Sequence, residues 1–220
     1  MTHTLIEVVP MDKSHHRQVS ELLALGFRDK LLPASGLSEQ ELILYLNRML
    51  ELYPEERGET RVVALLEGTV VGTMAIKRRT EALPSHSSST KPACLSNEEI
   101  RLWPLMKLIL TLRILSHRPS RHECYIADLT VHPLHQGKGI GTFLLNWAFE
   151  CAMHDPKQLS LTLHVAGHNQ GAMRLYERHG FRLDKQANSS LRRLWVGEAA
   201  WVHMRAPLYE SNVAAATQTK

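Results

Sequence analysis

Seven consecutive residues, Gln136, Gly137, Lys138, Gly139, Ile140, Gly141 and Thr142, have the types and spacing to hold a phosphorylated ligand. They follow an apolar, β-branched stretch, Tyr125 to Val131, that reads as a strand. They precede Phe143, Leu144, Leu145, Trp147, Ala148, Phe149 and Ala152, which recur at helical spacing. Three glycines in five residues let the backbone approach a ligand without Cβ clashes. The first turn of the helix offers N–H groups without intrahelical acceptors and the positive end of its dipole, a geometry that binds phosphate. A dinucleotide fingerprint, G-x-G-x-x-G, is excluded because Thr142 stands three positions after Gly139. The nucleotide P-loop G-x-x-x-x-G-K-[ST] is excluded by the position of Lys138.

A second segment adds to the first. Leu159 to Val165 alternates apolar and polar residues as a strand does, and is followed by Asn169, Ala172, Leu175, Tyr176, Gly180 and Phe181. Asn169 suits an N-cap, and Ala172, Met173 and Tyr176 fall on its helix face. Gly180 suits the position that ends the helix, with Phe181 folding back on the last turn. Gln-x-x-Gly-x-Gly at 136–141 resembles the pyrophosphate-binding loop of the GCN5-related N-acetyltransferase family. The run from Asn169 to Phe181 matches that family's N-x-x-A-x-x-L-Y-x-x-x-G-F pattern at every position. The resemblance is tight over 124–183 and loose over the rest of 4–206.

The resemblance implies a single α/β domain. Its mixed, mostly antiparallel sheet has about seven strands, helices on both faces, and a splay between strands four and five. It implies acetyl-CoA as co-substrate and direct attack by a primary amine in a ternary complex. The amides from Gly137 to Thr142 would hold the pyrophosphate, with Gln136 in the same motif. The backbone N–H near Val131 would polarise the thioester carbonyl, and Asn169 would contact the pantetheine arm, directly or through water. Tyr176 becomes the candidate general acid: a phenol with a pKa near 10 matches a CoA thiolate of similar basicity. For the base, Asp128 on strand four stands first, Glu123 second, and a water chain is a third route. Alternation puts Asp128 and His132 on one strand face and Tyr125 and Val131 on the other, unless a bulge intervenes.

No metal is expected. Pro133 breaks any helix at the pair His132 and His135, and the pair His164 and His168 spans a strand end, where i and i+4 do not converge. The remaining histidines of the 13 read as surface residues, and Cys124 and Cys151 as packing.

The elements that must position these residues follow from periodicity. Thr4 to Val9 reads as a strand ended by Pro10, and Ser14 to about Lys30 as a helix with Val19, Leu22, Leu23 and Phe27 on one face. Ser38 and Glu41 form a capping box opening a helix to about Tyr53. Arg61 to Leu66 and Val70 to Arg78 form a hairpin across Glu67-Gly68-Thr69. Strands follow at 124–131, 159–165, about 181–186 and 199–206. Residues 80–123 exceed a usual hairpin connection and read as an insertion whose second half, Glu98 to His117, has a helical pattern with basic residues. That helix packs over the domain, or serves as a lid, a dimer contact or a membrane-surface helix. The domain spans 1–208, with a frayed tail at 209–220.

A chain of 220 residues with 44% hydrophobic content suits one globular domain. Three cysteines without a C-x-x-C pair, and an N-terminus without a signal-peptide pattern, point to the cytoplasm. The apolar run Leu102 to Leu115 is too short and too charged to span a bilayer. A net charge of +4 is mild, and a polyanionic cofactor accounts for local basic residues, so no nucleic-acid partner is expected. The acceptor is an amine-bearing small molecule, peptide or protein. A homodimer is left open by the frequency of dimers in the family. A non-catalytic acyl-CoA-binding module is the alternative reading.

Overall fold

A computed structural model describes residues 6–52, 58–79, 102–187 and 201–209. The described residues open with strand β1 (Ile6–Pro10) and two helices packed on each other, α1 (His16–Ser35) and α2 (Glu39–Leu52). The hairpin β2 (Glu59–Leu66) and β3 (Thr69–Arg78) follows, then helix α3 (Leu102–Leu115) and strand β4 (Glu123–Val131). Helix α4 (Ile140–Met153) leads to β5 (Ser160–Ala166), and α5 (Gln170–Arg178) leads to β6 (Arg182–Ala187) and β7 (Trp201–Pro207).

Local sequence explains most boundaries. Ser38 and Glu41 make the capping box: the Ser38 amide donates to Glu41 Oε2 at 2.8 Å and the Glu41 amide donates to Ser38 Oγ at 3.3 Å. Glu67 and Gly68 both have positive φ, 52° and 77°, the two left-handed residues a type I′ hairpin turn requires. α1 runs five residues past its expected end near Lys30 and contains Pro33. The ring removes a donor only in the last turn. Ser35 Oγ there donates to the Leu31 carbonyl at 2.6 Å, and Gly36, at φ 72°, closes the helix by donating to Leu32. The helix expected over 98–117 is α3, seen from Leu102. The first half of the expected insertion, the start of β1 at Thr4, and most of the expected tail lie outside the described residues.

The seven strands form one sheet in the order β1-β2-β3-β4-β5-β7-β6, antiparallel throughout except for the parallel pair β4 and β5. One core lies between the sheet and α4 with α5, built on Val62, Met74, Ile76, Ile126, Leu144, Leu145, Leu161 and Leu163. The other lies under α1, α2 and α3, around Val19, Leu42, Tyr45, Val63 and Leu108. α1 crosses β4 so closely that a Cβ on Gly26 would sit 2.4 Å from Thr130 Cγ2. This α/β architecture is the one the resemblance implied.

Two irregularities position the site. The parallel pairing of β4 with β5 ends at Ile126–Leu163, although β4 continues to Val131 and β5 to Ala166. The two strands therefore diverge toward their C-terminal ends. In addition, the β3–β4 register runs Ile76–Ile126 and then Ala75–Asp128, so Ala127 is bulged out of the ladder. The bulge shifts side-chain parity, placing Asp128 on the face of Tyr125, toward α1 and α2. Leu129 and Val131 move to the face of Ile126, where they pack on the α4 core.

Candidate active site

The glycine loop opens from the wide end of the β4–β5 gap. The turn Pro133–His135 is capped by the His132 ring, which accepts from the Leu134 amide at 3.3 Å. Gln136 Nε2 donates to the Val131 carbonyl at 3.1 Å, so this side chain braces the loop against the strand end. Gly137 and Gly139 adopt φ of 75° and 84°, a region other L-residues rarely enter. Successive N–H groups in turns that include left-handed residues can form an anion-binding concavity. α4 starts at Ile140, and the Phe143 amide makes the first turn's bond, to the Gly139 carbonyl at 3.1 Å. The earlier amides of that turn have no carbonyl one turn back to accept from them. Buried Ile140 anchors the helix start while Gly137, Lys138 and Gly139 stay exposed. Leu175 on α5 lies so close to Gly141 that an added Cβ would be 2.9 Å from its Cδ2.

α5 is capped as its sequence requires: the Asn169 side chain accepts from the Ala172 amide at 3.1 Å. Gly180 at φ 84° ends the helix, and the Phe181 amide donates back to Tyr176. Tyr176 is buried in the α4–α5 core, 5.8 Å from the Phe181 ring centroid, and burial pushes its phenol up to about 12. The hydroxyl is therefore a proton carrier at neutral pH.

The opposite face of the gap is polar. Arg61 on β2 grips Asp128 with both terminal nitrogens, each 2.7 Å from a carboxylate oxygen. The pair is nearly buried, with side chains 10% and 16% exposed. Burial works against the guanidinium's charge, but the facing carboxylates of Asp128 and Glu59 outweigh it, raising its pKa. Glu59 also meets Lys77, at 2.9 Å. Nothing in the sequence pattern paired Arg61 with Asp128, because they lie 67 positions apart on strands two places apart in the sheet.

Further along the same face, Glu123 gathers a cluster that sequence reasoning had dispersed over the surface. Its Oε1 accepts from Thr162 Oγ1 at 2.6 Å and lies 2.9 Å from His117 Nε2; its Oε2 accepts from the Ser120 amide at 2.8 Å. Burial opposes the charge on Glu123. The neighbouring imidazoles of His117 and His203, the Ser120 amide and the Thr162 hydroxyl overcome it and hold the carboxyl well below the usual range. His164 Nδ1 sits 3.2 Å from the Tyr125 hydroxyl, and the rings of His117, His164, His203 and Tyr125 lie together. The one available signal was strand parity: residues 123, 125, 162, 164 and 203 share a sheet face once the register is known.

Cys124 is buried in the α4 core and Cys151 packs against it, as the sequence reading expects. Arg78 Nη2 approaches Cys151 Sγ at 2.6 Å and the Cys151 carbonyl at 3.2 Å, and burial pushes the nearby Cys124 thiol up to about 11. His132 and His135 stack edge to face at 5.7 Å on the exposed loop.

A strand, a loop with two positive-φ glycines and a helix thus meet where the parallel β4–β5 pairing ends. The chain belongs to the acetyltransferase (GNAT) family, whose model matches residues 27–181. Solved structures share the fold at low identity. A GNAT-family acetyltransferase from Streptococcus pneumoniae has a TM-score of 0.54 at 15% identity, over 93% of this chain and 99% of that one. Mutant forms of a spermidine/spermine N-acetyltransferase from Vibrio cholerae give 0.58 at 15%, over 96% and 98%. An acetyltransferase of Salmonella typhimurium described with its cofactor acetyl-CoA gives 0.55 at 15%, over 94% and 95%. No curated protein sequence matches this chain. Among the described residues, no helix is long and apolar enough to cross a membrane.

Proposed function

We propose that this protein transfers an acetyl group from acetyl-CoA to a primary amine by direct attack within a ternary complex. One observation carries the reading: the β4–β5 gap has the glycine-loop amides at its mouth, Tyr176 on one face of the sheet and Asp128 on the other. The cofactor acetyl-CoA named for the Salmonella typhimurium neighbour and the two amines named for the Vibrio cholerae neighbour agree with it.

In this mechanism the amides of Gly137, Lys138, Gly139, Ile140, Gly141 and Thr142 hold the pyrophosphate, and Gln136 keeps their loop closed on β4. Asn169 uses its oxygen to cap α5, leaving its amide nitrogen to donate to the pantetheine arm. Acetyl-CoA supplies the thioester. The chain lays it along the unpaired edge of β4, where a backbone N–H toward Val131 polarises the carbonyl. The amine enters from the α1–α2 face. Asp128 takes its proton: the Arg61 fork occupies one lone pair on each oxygen and fixes their direction, leaving others to accept. Tyr176, on the opposite face, delivers its proton to the departing thiolate sulfur. Acid and base thus act from opposite sides of the sheet, with the carbonyl carbon between them.

The test is calorimetric titration with acetyl-CoA, with dephospho-CoA and NADH as controls, followed by thiol release over a panel of amines. Specific binding with turnover supports the transferase. Specific binding without turnover on any amine would establish the acyl-CoA-binding module instead. No binding by folded protein overturns both.

A further inference from the structure

We propose that His117, Glu123 and His203 form a transition-metal site, suited to Zn2+, on the α1–α2 face of the sheet, with Asp184 orienting one of its ligands. The three donor atoms lie within 4.8 Å of one another. Glu123 Oε1 is 2.9 Å from His117 Nε2 and 3.8 Å from His203 Nε2. Ligand atoms around a tetrahedral zinc ion stand about 3.3 Å apart, given bonds near 2.0 Å, so small rotations of three side chains close the shell.

The second observation concerns His203. Its Nδ1 lies 3.0 Å from Asp184 Oδ2. A carboxylate only accepts, so Nδ1 donates to Asp184 and Nε2 is the nitrogen left to meet a metal. That Nε2 is buried and has no hydrogen-bond partner, and it points at a carboxylate oxygen. A cation between that nitrogen and the Glu123 carboxylate, 3.8 Å apart, would give both a partner. A carboxylate that orients a histidine through its far nitrogen is the recurrent support of a metal-ligating imidazole. Glu123 is supported too, by the Ser120 amide on Oε2 and the Thr162 hydroxyl on Oε1.

Two imidazoles and a carboxylate are the borderline donors that zinc prefers over calcium or magnesium. Three protein ligands leave a position for water. On binding, the proton on His117 Nε2 passes to solvent and the nitrogen's lone pair takes the metal. The site ties together three distant pieces of chain: the connection after α3, the start of β4, and β7 with its neighbour β6. The two histidine pairs spaced by three and four residues in the sequence take no part in it.

The experiment uses full-length protein without a polyhistidine tag. Zn2+ titration is followed by calorimetry and competition dialysis, and Co2+ substitution by visible absorption. We expect one equivalent of Zn2+ and the intense bands of four-coordinate Co2+. His117→Ala and His203→Ala should weaken binding at least about 100-fold, and Asp184→Asn about 10-fold, as loss of an orienting partner does. The variant H132A/H135A should bind as the native protein does. Absence of stoichiometric Zn2+ and of the Co2+ bands in native protein overturns the site, whatever the folding of the variants. Binding that survives H203A, or that H132A/H135A abolishes, overturns the assignment of ligands. An unchanged affinity in D184N overturns the role of Asp184. None of these readouts depends on acetyl transfer.

Discussion

In the proposed mechanism, Tyr176 and the Arg61–Asp128 pair divide the labour of the site. If the phenol supplies the leaving group's proton, Tyr176→Phe should lower the rate of thiol release by about 10²-fold or more. Acetyl-CoA affinity in calorimetry should stay within about twofold; a parallel loss of affinity would mean the ring only supports the cofactor. Asp128 has a structural consequence as well. Removing its charge leaves Arg61 buried against Glu59 alone, and loss of one partner from a buried pair costs about 3–5 kcal/mol. Urea denaturation should show Asp128→Asn destabilised by that amount. The double replacement Arg61→Met with Asp128→Leu should recover most of it; equal loss in both would place the damage outside the pair.

The elements hold the clearest record of what the sequence could express. Helix α5 was legible because N-cap, periodicity and terminal glycine agree at every step, α4 because of its apolar periodicity, and the β2–β3 hairpin because Gly68 supplies one of the positive-φ positions its turn requires. The loop was legible for the same reason: Gly137 and Gly139 stand where φ is positive. The bulge at Ala127 was not, since its residue resembles its neighbours and only pairing with β3 reveals that it is skipped. With it went the correct face of Asp128. The histidine cluster was hidden because it is assembled by β4, β5 and β7 together with the segment after α3. One helix crossing is open to a direct trial. Gly26→Ala ordinarily favours a helix by up to about 1 kcal/mol, but here the new Cβ would meet Thr130 Cγ2. Gly26→Ala should instead destabilise by about 1–3 kcal/mol, and Thr130→Ser, which lacks that methyl, should restore much of the loss in the double variant. A stabilised single variant would show that α1 does not rest on β4 this tightly.

At the level of the whole molecule, two buried acids set the alkaline limit of stability. Burial pushes Cys124 up to about 11 from 9.0 and Tyr176 up to about 12 from 10.0. Both native pKa values exceed the unfolded ones, so the native state holds more protons between them. Stability is complete below about pH 9 and falls as pH rises through 11 and 12, by up to about 3 kcal/mol for each group. Denaturation from pH 8 to pH 12 should show this decline. Cys124→Ala should remove the part that begins near pH 9, and Tyr176→Phe the part that begins near pH 10. A flat profile in the native protein would contradict the burial of both groups.

The gap between β4 and β5 also bears on mechanics. Only four register pairs, Glu123–Ser160 through Ile126–Leu163, join the β1–β4 half of the sheet to the β5–β7–β6 half. A sheet stitched at one end alone behaves as two stiff leaves on a shared seam, and the free ends can breathe. A pantetheine arm laid along the open edge supplies amide donors and acceptors in place of absent rungs. The cofactor would then be a removable part of the sheet itself, and its arrival should slow amide hydrogen exchange in both leaves at once, far beyond the residues that touch it.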